Sequence, residues 1–146
     1  MKNLLIVSGR KMDIHFNFEL EDQLLVAMTT GPWRSHQESI AMCNAISEVA
    51  RRHQRERVLW LDNTAGRPLS VLESHVSGEA AAETFRGVAI AYVPCYPMNP
   101  QLRQRLDFVE AVAKNRGLRG QVCLEEDAAR DWLVSLPSNY FALCDW

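Results

Sequence analysis

Arg57-Val58-Leu59-Trp60-Leu61-Asp62-Asn63-Thr64-Ala65-Gly66-Arg67-Pro68-Leu69-Ser70-Val71-Leu72-Glu73 is the stretch whose reading decides the fold. Val58 to Leu61 is a continuous apolar run of β-forming residues, the pattern of a strand buried on both faces. Asp62 and Asn63 are expected to end it, because short polar side chains bond nearby backbone and favour turns. Gly66 and Pro68 punctuate the loop, and Ser70 with Glu73 forms an S-x-x-E capping box that starts a helix. A central strand, a short loop and a capped helix make one βα unit of an open α/β sheet, whose ligands gather at the carboxyl ends of the strands.

Working outward, the N-terminal side supplies a hairpin. Ile14, Phe16, Phe18 and Leu20 alternate with Asp13, His15, Asn17 and Glu19, a period of two that marks a half-buried strand. Leu24 to Met28 returns. Ser35 and Glu38 form a second S-x-x-E box, and Ile40, Cys43, Ile46, Val49 and Ala50 recur at helical spacing. That helix closes in Arg51, Arg52, His53 and Arg55. Cations there complement the helix dipole, the simpler reading beside an anion or nucleic-acid grip.

On the C-terminal side, the helix after Ser70 is expected to bury Leu72 and Val76. Val88 to Val93 reads as another doubly buried strand. Asn99 with Pro100 opens a helix with Leu102, Leu106, Val109, Val112 and Ala113 inside, and Gly117 sits just past its end. Gln121 to Leu124 is a last short strand. Glu125 to Asp127 then begin a helix whose apolar side is Ala128, Ala129, Trp132, Leu133 and Leu136. The order is β-β-α-β-α-β-α-β-α: an α/β fold with a mixed, mostly parallel sheet covered by helices.

Three segments follow: an N-terminal extension over 1–11, the domain over 12–136, and an apolar tail over 137–146. Leu4 to Val7 adds an edge strand or packs on a partner, unless Met12 is the true start. The tail, with Tyr140, Phe141, Leu143 and Trp146, is too apolar to sit in water and is expected to fold back or to pair two copies as a homodimer.

The chain of 146 residues is 47% apolar and 23% charged, ordinary for a single globular domain. A net charge of −2 argues against a dedicated nucleic-acid binder. No apolar run has signal-peptide or membrane-spanning length, so the expectation is a cytoplasmic protein without stable membrane insertion. Cys43, Cys95, Cys123 and Cys144 show no C-x-x-C and no paired His, so no metal site is expected and the thiols are read as reduced, although four cysteines allow two disulfides. No cofactor motif and no catalytic signature occurs. His15, His36, His53 and His75 stand singly, and Cys95, the one plausible nucleophile, has no identifiable base. The chain is read as not an enzyme.

Several stretches together resemble the STAS family (sulfate transporter and anti-sigma factor antagonist), in its SpoIIAA-like branch. They are Val58-Leu59-Trp60-Leu61-Asp62, Val88 to Val93, Ala113-Lys114-Asn115-Arg116-Gly117, and Glu125 to Leu133, an acidic start followed by Ala129, Trp132 and Leu133. The resemblance runs from about Met12 to Leu136. It implies a bacterial regulatory module that acts by binding a protein partner. It also implies a phosphorylation switch at the start of the helix after the central strand, which falls on Ser70, with Thr64 as the lesser alternative. Arg67-Pro68-Leu69-Ser70-Val71 stands where those antagonists carry an Asp-Ser-Ser/Thr-Gly-like stretch, and capping explains Ser70 independently. The related CRAL-TRIO lipid-binding domains suggest the alternative, a carrier or sensor of a small apolar or amphipathic ligand. Its pocket rim would be Asp62, Asn63, Thr64, Cys95, Tyr96 and Met98.

Overall fold

The computed structural model describes residues 3–8, as backbone, and 13–137. The tail expected to mediate a homodimer, with Cys144 in it, lies outside the described residues. Strands β1 (Asn3–Ser8), β2 (His15–Leu20) and β3 (Leu24–Pro32) precede helix α1 (His36–Arg52). Then come β4 (Arg57–Ala65), α2 (Val71–Thr84), β5 (Ala89–Pro94), α3 (Pro100–Asn115), β6 (Arg119–Val122) and α4 (Glu126–Ser135). The six strands lie in the sheet in their chain order. β1, β2 and β3 pair antiparallel, whereas β3, β4, β5 and β6 pair parallel. The expected α/β class, with a mixed sheet and its helices, is present, and the N-terminal segment supplies the additional edge strand β1.

Right-handed crossovers that all step in one direction put every connecting helix on one face of the sheet. The two cores agree. Ile14, Phe16, Phe18, Ala27, Val58, Trp60 and Ile90 meet Met42, Cys43, Ile46 and Ala50 of α1 on the first face. On the second, Val26, Leu59, Ala89, Ala91 and Val93 meet Ala129 and Leu133 of α4. Arg130 of α4 ties that helix to the β2–β3 turn through Glu21, at 2.9 Å.

Three local expectations are corrected and a fourth is met. β4 continues through Asp62 and Asn63 to Ala65, because its parallel register with β3 runs on to Pro32 opposite Ala65. The last strand is Arg119–Val122 rather than Gln121–Leu124. Ser35 stands at the N-cap of α1 without a side-chain bond, and the Glu38 carboxylate instead accepts the Arg34 N–H at 2.6 Å. The capping box at Ser70 is complete, with both the Ser70 and Glu73 bonds in place.

The largest difference is on α2. Leu72 is 72% exposed and Val76 half-buried, while Ser74, Ser77, Gly78 and Ala82 face inward. Small side chains are needed there because α3 crosses close by. A Cβ added at Gly78 would sit 2.8 Å from Val112 Cβ and 2.9 Å from the Val109 carbonyl oxygen.

Candidate functional site

Alternation along β4 puts Trp60, Asp62 and Thr64 on the first face. Asp62 is buried and accepts on both carboxylate oxygens. Its Oδ1 takes the Thr29 hydroxyl at 2.7 Å, the Thr64 hydroxyl at 2.8 Å and the Thr64 backbone N–H at 3.1 Å. Its Oδ2 takes the Tyr92 hydroxyl. The parallel register, which sets Thr29 opposite Asp62 and Trp60 opposite Tyr92, makes these contacts possible.

The network has a direction. Trp60 Nε1–H donates to Thr29 Oγ1 at 2.9 Å, and Thr29 passes its own proton toward Asp62. Tyr92 has one proton, and that proton faces Asp62. At the 3.1 Å contact between the two hydroxyls, Tyr96 is therefore the donor. Burial, then the charge of Asp62, pushes the Tyr92 hydroxyl well above the usual tyrosine range, so it stays a donor. The Trp60 ring meets Tyr92 edge-on at 5.0 Å and lies 6.5 Å from Phe85.

This face borders a cavity of about 470 Å³ between the sheet and helices α1–α3. The sheet contributes Trp60, Asp62, Thr64, Ile90 and Tyr92; α1 contributes Met42 and Cys43; α2 contributes Ser77 and Ala81; α3 contributes Leu102, Arg105, Leu106, Val109 and Glu110. The loop 65–69 and Trp33 complete the wall. Gly66 is required against Trp33, since a Cβ there would fall 2.1 Å from the indole. The half-burial of Leu102, Leu106 and Val109, expected inside the core, follows from their facing this space.

Of the rim residues expected from sequence, the structure brings together Asp62, Thr64 and Tyr96. Asn63 is exposed, turned to the opposite side of β4 by strand alternation. Cys95 is exposed and Met98 half-buried, and neither lines the cavity. Ser70 is exposed at the α2 N-terminus, outside the cavity, where its Oγ accepts the Glu73 N–H at 3.1 Å. Glu73 in turn holds Arg67 at 2.7 Å and 2.5 Å.

Neither a family model, nor a curated protein, nor a solved structure matches this chain. The chemistry is therefore read from the site. Burial, reinforced by Asp62, pushes the Cys43 thiol up to about 12, which keeps it protonated and poorly nucleophilic. Among the described residues no cluster of His, Cys, Asp or Glu is arranged to hold a metal ion. Among them, too, no helix is long and apolar enough to cross a membrane.

Tyr92, Ser77, Arg105 and Cys43 are among the cavity residues that sequence reading missed. Cys43 was legible as a buried position but not as a wall. Ser77 and Arg105 carry no local signal, because only the packing of α2 and α3 over the sheet brings them to the same space.

Proposed function

We propose that this chain is a binding module for a small amphipathic molecule held between the sheet and α2–α3. The observation that carries the reading is the cavity of about 470 Å³, apolar along its aromatic and aliphatic walls and polar where Asp62, Tyr92 and Tyr96 meet it. That volume lies within the roughly 300–1,000 Å³ of small-molecule sites, and such sites pair apolar walls with a few oriented polar groups. The Asp62 network favours binding over turnover. Its donors are already engaged with one another, and the lining thiol of Cys43 is held protonated.

Native mass spectrometry of the purified protein, beside the same sample denatured, tests the reading. The expected result is a non-covalent added mass that Ala81→Leu, which fills the cavity, removes. An Ala81→Leu protein that keeps the added mass, or a wild type that neither carries a small molecule nor takes up amphipathic probes, would sink it.

A second reading, a protein-binding regulatory module of the STAS anti-sigma factor antagonist type, is favoured by one feature. Val71, 53% exposed, and Leu72 form an apolar pair beside the exposed Ser70. Phosphate on Ser70 would add about −1.5 to −2 of charge next to that pair. On this reading Ser70→Asp alters capture of a partner, while Ser70→Ala does not; identical partner binding by both variants would remove it.

A further inference from the structure

The charged groups bordering the cavity do not balance one another. Two acids line it, and both are occupied. Asp62 is filled by Thr29, Thr64 and Tyr92. Glu110 accepts the Val122 N–H at 2.7 Å and faces Lys114 at 3.5 Å. One lining cation, Arg67, is matched by Glu73. The other, Arg105, is not. Its Nε is sealed from solvent with no hydrogen-bond partner among the described residues. Ser77, 6% exposed, lines the same cavity, and its Oγ is likewise buried and unpartnered.

Buried donors without acceptors are costly, by more for a charged group, and native structures satisfy nearly all of them. Two such donors on facing helices, bordering one cavity, define what is missing: an anionic acceptor supplied from outside the chain. A guanidinium bonds a planar carboxylate in a fork, and a hydroxyl adds a third bond. One unmatched cation beside the two carboxylates of Asp62 and Glu110 suits a monoanion better than a dianion. Resting on the binding function proposed above, we infer that the ligand is a carboxylate-bearing amphiphile. Its head is received by Arg105 and Ser77, and its apolar body lies against Trp60, Phe85 and Leu106.

Isothermal titration calorimetry with dodecanoate, dodecanol and dodecyl phosphate tests this, above neutral pH so that the acid is ionised. Wild-type protein is expected to bind dodecanoate about ten- to a hundredfold more tightly than dodecanol, the worth of a charge-assisted contact. Arg105→Gln is expected to abolish that preference while leaving dodecanol affinity unchanged, and Ser77→Ala to reduce it severalfold. Should Arg105→Gln not fold, Ser77→Ala and Arg105→Lys carry the same comparison, with Lys keeping part of the preference. Equal binding of acid and alcohol would overturn the head-group assignment and leave the cavity reading standing. Tighter binding of dodecyl phosphate would overturn the monoanion. Failure of all three probes, with no added mass in the native spectrum, would overturn both readings together.

Discussion

The two faces of the sheet are covered in opposite ways. Among the described residues one helix of ten residues, α4, closes the second face, with Ala129 and Leu133 both at 0% exposure. Three longer helices cover the first face, yet a cavity of about 470 Å³ remains beneath them. The difference lies in α2. Its inward stripe of Ser74, Ser77, Gly78 and Ala82 lets it approach α3 closely but offers nothing bulky to fill the space below. Interiors normally pack to crystal density, so a void this large on one face, opposite a well-filled one, is what the binding function proposed above rests on.

That contrast can be broken most sharply from its tight side. Leu133→Ala removes a fully buried side chain from a face with no slack, and chemical denaturation should show a loss of about 2–5 kcal/mol. Enlarging a small residue comes next. Ala129→Leu on the second face should cost about 1–3 kcal/mol through overpacking, whereas Ala81→Leu, beside the cavity, should cost under about 1 kcal/mol. Equal costs for those two variants would mean that the faces are not differently packed.

Smaller effects sit at the rim. Ser70→Ala should lower stability by about 1 kcal/mol through loss of the α2 cap. The smallest effect is pH-dependent. The Arg67 guanidinium, then the Ser70 backbone N–H, holds the Glu73 carboxyl below the usual carboxylate range. A depressed folded pKa means that the unfolded chain takes up this proton first. The stabilisation is therefore whole above the ordinary glutamate pKa of about 4.3 and fades as pH falls below it. Melting curves of Glu73→Gln should accordingly lose less on acidification from about pH 6 to about pH 3 than those of the wild type.

Legibility followed the range over which each signal acts. The alternation of Ile14, Phe16, Phe18 and Leu20, the box at Ser70, the Asn99 cap, which accepts the Leu102 N–H at 2.8 Å, and Gly117 at φ +97° all depend on a few neighbouring residues and were readable. Asp62, Thr64 and Tyr96, expected together because strand ends in such sheets gather ligands, do line one cavity. The inward face of α2 was not. Apolar periodicity assigns the largest hydrophobes to the interior, and here the closeness of α3 at Gly78 excluded Leu72 in favour of small residues. Asn63, Cys95 and Met98 failed for a related reason: proximity in sequence does not decide which side of a strand or loop meets the cavity.

The strand order has a consequence for how the molecule comes together. Each strand pairs with its predecessor in the chain, so the sheet can grow by accretion, one loop closure of modest entropy at a time. The hairpin of β2 and β3 needs nothing that follows it. By contrast α4, reaching back under β4 and β5, must wait for nearly the whole chain. Pulse-labelling hydrogen exchange should therefore find the amides of β2 and β3 protected before those around Leu133, and the reverse order would rule out stepwise growth. During synthesis, the apolar second face of the sheet would be the last surface to be covered.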